Sequence, residues 1–268
     1  LLARSSVSQP LQHNSRLRMK PIREQVADAE WQAREELAAA YQLAALHRMT
    51  DHIYTHISAR VPDADGQFLL NAYGLTFDEV TASNLVKVNL QGDVLLDATG
   101  LGINLAGFII HGAIHEHRHD AVCVMHTHTQ AGVAVSAQRR GLRMLSQHAM
   151  RFHDKVAYHD YEGVVLDMDE RAQIVQNLGQ RNVMILRNHG LLVCGDSVSD
   201  AFDQMYYLER ACQIQIAAQS SGEELIEASD PVAARVAAQF DRPGRPSKDK
   251  HWPPLLRMLD RVAPGYKN

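Results

Sequence analysis

Three features of the sequence predict one α/β domain with helices covering both faces of a central sheet. Segments whose apolar residues recur at helical spacing are interspersed with short alternating or wholly apolar segments, so strands and helices are mixed along the chain. The chain shows no internal repeat that would suggest a solenoid or propeller. Its 268 residues, 46% of them hydrophobic, are enough for one large domain with a substantial core.

The elements follow in order. Ala27 to Arg48 is rich in Ala, Leu, Glu and Arg, and Ala33, Leu37, Ala40, Tyr41 and Ala44 fall at helical spacing. Residues 52–62 alternate Ile53, Thr55, Ile57 and Ala59 against polar neighbours, a strand pattern closed by Pro62 and the turn from Asp63 to Gly66. Gln67 to Leu70 returns as the second strand of a hairpin. Asn71 to Gly74 reads as a loop, Thr81 to Ser83 as the start of a short helical turn, and Val86 to Val94 as another hairpin around Gln91-Gly92-Asp93. Gly100 and Gly102 precede a helix from Asn104 to Arg118, with Asn104 as its N-cap. Ala121 to Met125 is almost wholly apolar and ends at His126, which predicts a strand buried on both faces. A small-residue helix from Ala131 to Ala137 follows. Strands at 183–186 and 191–194 flank the turn Arg187-Asn188-His189-Gly190. Ser199 to Gln219 is a long helix with Ser199 as N-cap, followed by a short helix from Asp230. A Pro/Gly/Lys linker over 242–250 leads to an amphipathic helix around Leu255, Leu256, Met258 and Leu259, which is expected to enter through Pro253 and Pro254.

Composition excludes several classes. A charged fraction of 22% and a net charge of -4 describe an ordinary globular protein, with no basic cluster for nucleic acid or a membrane surface. No apolar run approaches the roughly 20 residues needed to span a bilayer. The three cysteines are an odd number without short spacings. Cys123 and Cys194 sit in apolar runs, as buried small hydrophobes do, which points to a reducing, cytoplasmic compartment. Leu1 to Lys20 carries four basic residues, several serines and no acid, and Met19 is a candidate start. Residues 1–22 are therefore read as a leader or expression remnant, 23–225 as the domain, and 226–268 as a helical extension packing on it or on a neighbouring subunit.

Among 15 histidines, His126 and His128 carry the most information. At i and i+2 of a strand they project from one face, about 6–7 Å apart, and two imidazoles so placed can converge on one metal. Two surface histidines at a strand end would give the same spacing. His189 stands in a tight turn whose neighbours Asn188 and Gly190 suit turn geometry while it does not. If it points inward, three imidazoles with an open fourth position give the ligand set of a catalytic zinc site.

The stretch Ile103-Asn104-Leu105-Ala106-Gly107-Phe108, then His111, Ile114-His115, Ala121 to Val124 and His126-Thr127-His128-Thr129, resembles the class II aldolase/adducin superfamily. Residues 54–60, 158–163 and 188–192 fit the same family in the same order, so the likeness runs from about Ala29 to Gln219. The resemblance implies a three-layer αβα fold with a central, largely antiparallel or mixed sheet. It also implies a divalent metal on His126, His128 and His189, with zinc preferred and Fe, Mn or Co also compatible, and a homo-oligomer, commonly a tetramer. The sugar-phosphate aldolases of the family place a catalytic glutamate where this chain has Gly107. Of their phosphate cradle the matching positions are His56, Leu105 and Ala106, with Gly74 beside Tyr73 keeping the expected small residue. His56, Tyr73, Gly74 and Gly107 are therefore the expected substrate-binding positions, for a substrate other than a sugar phosphate.

Two functions follow from this. One is a metal-dependent lyase or related enzyme on a small carbonyl or hydroxy-acid compound, with His111, one helical turn beyond Gly107, as acid/base or as a buried supporting histidine. His115 and Glu116 read as solvated helix residues. The alternative is a non-catalytic, adducin-like oligomeric scaffold for actin- or spectrin-type partners, although the basic, lysine-rich tail of adducins is not seen here.

Overall fold

The computed structural model describes residues 20–161, 163, 168–242 and 248–268. A 3-10 turn at Ile22–Glu24 leads into α1 (Asp28–Leu46), β1 (His56–Arg60) and β2 (Gln67–Leu70). Next come β3 (Val86–Asn89), β4 (Val94–Leu96), α2 (Leu105–His117), β5 (Cys123–Thr127), α3 (Gln130–Ser136) and α4 (Gln147–Met150). The chain continues through β6 (Val156–His159), α5 (Met168–Leu178), β7 (Val183–Leu186), β8 (Gly190–Gly195), α6 (Val198–Gln219), α7 (Asp230–Asp241) and α8 (Lys248–Val262). The eight strands form one sheet in the order β4-β3-β2-β1-β5-β8-β7-β6. Neighbours are antiparallel except β6 and β7, which are parallel.

The period of two in the strands divides their side chains between two cores. Ile57, Cys123, Met125, Ile185, Leu191 and Val193 point into a core shared with α1 and α6, where Leu37, Tyr41, Phe202 and Leu208 meet them. Phe68, Val88, Val124, Met184 and Leu192 point to the opposite face and pack on Phe108, Ile109 and Ile114 of α2 and Ile174 and Leu178 of α5. The result is the three-layer αβα arrangement with a mostly antiparallel central sheet.

Several boundaries differ from the sequence reading. β1 begins at His56 because 51–54 close a tight turn through an Asp51–Tyr54 bridge, and His52 and Thr55 take φ of 49° and 71°, incompatible with an extended strand. The turn expected at 81–83 is a single hydrogen-bonded turn, from the Asn84 amide to the Thr81 carbonyl at 3.3 Å, and a 3-10 helix precedes it at Phe77–Glu79, where Thr76 and Glu79 form a capping box. The N-cap of α6 is Ser197, whose hydroxyl accepts from the Asp200 amide at 3.2 Å, while Ser199 is already inside the helix. α8 starts at Lys248 and carries Pro253 and Pro254 within it. Of the expected leader over 1–22, residues 1–19 lie outside the described residues, as does the centre of the expected linker, 243–247, while Ile22 is buried in the 3-10 turn.

Leu259 and Tyr266 are buried in the α1–α6 core, with Trp252, Leu255 and Met258 against it. The backbone amides of Ala82 and Ser83 bond to the carbonyls of Tyr266 and Asn268 at 2.9 Å each. Among the described residues no helix is long and apolar enough to cross a membrane.

Candidate metal centre

β1, β5 and β8 lie side by side at the middle of the sheet, with His56 opposite His126 and His126 opposite Leu192. Since Cys123 and Met125 face the α1–α6 core, His126 must face α2, and His56 and Ser58 of β1 share that face because Ile57 and Ala59 take the other. His128 follows β5, and the β7–β8 turn, with Asn188 at φ 55°, brings His189 beside both. The three rings are mutually adjacent: centroids are 4.7 Å apart for His126–His128 and 4.8 Å for His126–His189 and His128–His189. One ring nitrogen from each lies within 4.8 Å of the other two.

Hydrogen bonds assign the protons on two of these rings. His126 Nδ1 donates to the Leu191 carbonyl at 3.0 Å, and His128 Nδ1 donates to the Asp51 carboxylate at 3.0 Å. Both partners accept only, so each Nδ1 carries the proton and each Nε2 presents a lone pair. The two Nε2 atoms face each other at 2.9 Å. Two lone pairs facing each other at that distance call for a cation or a shared proton between them. Burial holds His126 well below the usual imidazole range, reinforced by the neighbouring His189 and His128 rings, and burial lowers His189 to about 4. Three imidazoles, two of them with Nε2 lone pairs turned toward one another, form a donor set that fits a divalent transition metal.

A cavity of 380 Å³ opens over these rings and is also lined by His56, Tyr73 and Tyr161. Asn104 and Ala106 at the start of α2 close one side, and Thr55 and Tyr54 another. No Lys or Arg is among the described lining residues. Leu105, in the expected phosphate-cradle region, is 61% exposed. Gly74 lies next to Tyr73 with φ of 112°, a value that favours glycine.

Gly107 lies beneath the His56 ring. A Cβ at this position would fall 2.9 Å from His56 Cγ and closer still to Cδ2 and Nε2, so the ring occupies the room that a side chain here would need. His111 stands behind His56, fully buried: its Nε2 is 2.8 Å from His56 Nδ1, and its Nδ1 is 2.5 Å from Ser58 Oγ. His111 does not line the cavity; His56 intervenes. His115, expected to be solvated, is fully buried and continues the chain, with Nε2 2.7 Å from Ser58 Oγ and its ring against Phe68. It is buried because it projects from the apolar stripe of α2 toward the sheet, whereas Glu116 is exposed and pairs with Arg171. Burial pushes His56 and His111 well below the usual range and His115 to about 3, so all three rings are neutral at pH 7.

Sequence reasoning passed over Asp51, Thr55, Ser58 and the role of His115. The signal for Ser58 was available: it sits two residues from His56 on the same strand, the spacing that singled out His126 and His128 in the sequence. Asp51 and Thr55 depend on a turn that the alternating pattern concealed.

Comparison with known proteins places this architecture. The family described as "Class II Aldolase and Adducin N-terminal domain" matches residues 35–216. The solved structure of an aldolase II superfamily protein from Pseudomonas syringae is 54% identical, covering 93% of this chain and 100% of that one, with a TM-score of 0.89. An L-fuculose 1-phosphate aldolase from Glaciozyma antarctica is 27% identical over 89% of this chain and 93% of its own, with a TM-score of 0.79. Mouse alpha-adducin is 42% identical over 248 residues, 87% of this chain but 33% of the adducin. A chain matched over its central 182 residues by this family, and resembling both its aldolase and adducin branches, belongs to the class II aldolase and adducin family.

Proposed function

We propose that the protein is a metal-dependent lyase or related enzyme acting on a small carbonyl or hydroxy-acid compound that carries no phosphate. The observation that carries this reading is the facing pair of lone pairs on His126 and His128, with His189 beside them at the floor of a cavity. When bound, a divalent ion supplies Lewis-acid polarisation of a carbonyl or enediolate oxygen. Zinc is the preferred ion, since an all-imidazole set suits it, and Fe, Mn or Co fit the same donors. Asp51 and the Leu191 carbonyl hold His128 and His126 with Nε2 forward. His56 and Tyr73 supply polar contacts to substrate, and Gly107 gives the His56 ring its place. His111 supports His56 from behind. Without a cationic side chain among the described lining residues, a dianionic phosphate would have only the bound ion as counter-charge, which favours an uncharged or singly charged substrate. A homo-oligomer, with the tetramer favoured, and a cytoplasmic location with its three buried cysteines reduced belong to the same reading.

The test is elemental analysis of protein purified without chelator or a metal column, followed by retro-aldol, epimerase and decarboxylase assays of the loaded protein. Stoichiometric metal that His126→Ala and His189→Ala abolish is the expected result. Metal-free protein that refuses zinc, or no metal-dependent turnover in any of the three classes, would defeat it.

The 42% identity to mouse alpha-adducin, together with Gly107 where the aldolases carry their glutamate, favours a second reading: a non-catalytic oligomeric scaffold for actin- or spectrin-type partners. Saturable actin or spectrin binding by metal-free protein would support it.

A further inference from the structure

The chain of side chains His56–His111–Ser58–His115 is an unusual thing to bury in an apolar layer. Its polar atoms could have been replaced by packed hydrocarbon at little cost to stability, so what it holds in place calls for explanation. Its forward end is the His56 ring. Nδ1 of that ring is tied to His111, and Nε2 has no hydrogen-bond partner among the described residues although the ring lines the cavity. Beside it, Thr55 is held at φ 71°, a strained setting for a β-branched residue, and its hydroxyl is buried without a partner. The His56 Nε2 at the cavity wall is thus left for something else to satisfy, next to a Thr55 hydroxyl that is buried without a partner.

The ring also disfavours the alternative. Because a Cβ at residue 107 would overlap the His56 ring where it now stands, a side chain on α2 and the imidazole from β1 compete for one volume. We propose that the polar group facing the substrate has been transferred from helix α2 to strand β1. His56, with Thr55 beside it, meets the substrate where a residue-107 side chain would, and His111, Ser58 and His115 are positioning residues that fix its ring. This rests on the reading of the cavity as a substrate site.

The chain also defines what His56 can recognise. Ser58 has one hydroxyl proton and lies between two imidazole nitrogens, so it donates to one ring and accepts from the other. If it donates to His111, His111 Nε2–H donates to His56 Nδ1, and His56 Nε2 carries a proton. If it donates to His115, each bond reverses and His56 Nε2 is a bare acceptor. In the first arrangement the ring donates to a carbonyl or carboxylate oxygen, and in the second it accepts from a hydroxyl.

Three measurements on the full chain test this. Melting of the metal-free Gly107→Glu, His56→Asn and double variants is expected to show that Gly107→Glu alone melts lowest and that adding His56→Asn raises it. Additive losses would overturn the competition. Histidine 15N spectra at pH 7 are expected to give one tautomer for His56, mixed in Ser58→Ala and single again in Ser58→Thr. An unchanged His56 signal in Ser58→Ala would overturn the positioning roles. Acetohydroxamate, a small uncharged chelator with a carbonyl and a hydroxyl, is expected to bind zinc-loaded His56→Asn about tenfold more weakly than zinc-loaded wild type. His56→Gln replaces His56→Asn if the latter does not fold. Equal affinity at equal zinc content would overturn the substrate contact. The first two measurements need no metal, so wild type that refuses zinc would refute the metal reading while leaving the transfer itself to be decided by them.

Discussion

A glycine inside a helix ordinarily costs stability relative to alanine, and α2 has two, Gly107 and Gly112. Their surroundings separate them. A Cβ at Gly112 would meet the Phe108 ring edge at 3.3 Å, a contact that a small ring movement relieves, whereas at Gly107 it would overlap the His56 ring, which is tethered by His111. Gly112→Ala is expected to fall within about 1 kcal/mol of wild type, the gain in helix propensity offsetting the contact. Gly107→Ala is expected to lose about 1–3 kcal/mol. Urea denaturation of metal-free protein compares the two directly, and equal stabilities would refute the packing account. Asp51 offers a second single-residue test. With its carboxylate replaced by an amide, His128 Nδ1 loses a charged acceptor, and Asp51→Asn is expected to weaken zinc affinity about 10- to 100-fold with little change in fold. Competition with a chromophoric chelator measures it. At this scale the sequence was legible where a spacing of two brings side chains together, as for His126 near the end of β5 and His128 just beyond it. It was not legible for His56 against Gly107, which are 51 positions apart and meet only when β1 passes under α2.

At the scale of elements, β1 and α2 together bury His56, Ser58, His111 and His115 between two apolar layers. Each ring has a folded pKa below its unfolded value of about 6.5, because burial penalises the charged form. The unfolded chain therefore binds more protons than the folded one once the pH falls below about 6.5. The stability these rings contribute is present above that pH and is lost as it falls, down to about 3 for His115. Within that window each ring removes about 1.4 kcal/mol per pH unit. Denaturation midpoints of metal-free protein are expected to drop steeply from pH 6.5 to 5, and His115→Phe is expected to flatten the slope. A parallel slope in that variant would exclude His115 as a source. The boundaries of α2 were legible, since Asn104 caps it as its sequence suggests and accepts from the Ala106 amide at 3.1 Å. Burial of His115 was not, because its stripe is defined by packing on Phe68 of a distant strand. At α6 the two candidate caps Ser197 and Ser199 differ only in backbone conformation, and Ser197→Ala is expected to cost about 1 kcal/mol more than Ser199→Ala.

For the whole molecule, the C-terminal residues complete the core that α1 and α6 begin. Leu259 is fully buried there, and the backbone of Tyr266 and Asn268 ties back to Ala82 and Ser83. Leu259→Ala is expected to cost about 2–5 kcal/mol, as for a residue of the central core, and a loss below about 1 kcal/mol in urea would show that this segment is dispensable. The three-layer plan was legible because interspersed helical and alternating segments admit few other arrangements. Short elements such as β6, α4 and α5 escaped because four to eleven residues carry too little pattern to separate strand from helix or loop.

The overlap between His56 and any side chain at 107 also bears on descent. In a chain with a glutamate at 107, an imidazole at 56 would carry the cost of two groups competing for one volume. The overlap therefore favours routes in which the side chain at 107 is lost before, or together with, the arrival of histidine at 56. Restoring a side chain at 107 alone is expected to cost more than restoring it together with a smaller residue at 56.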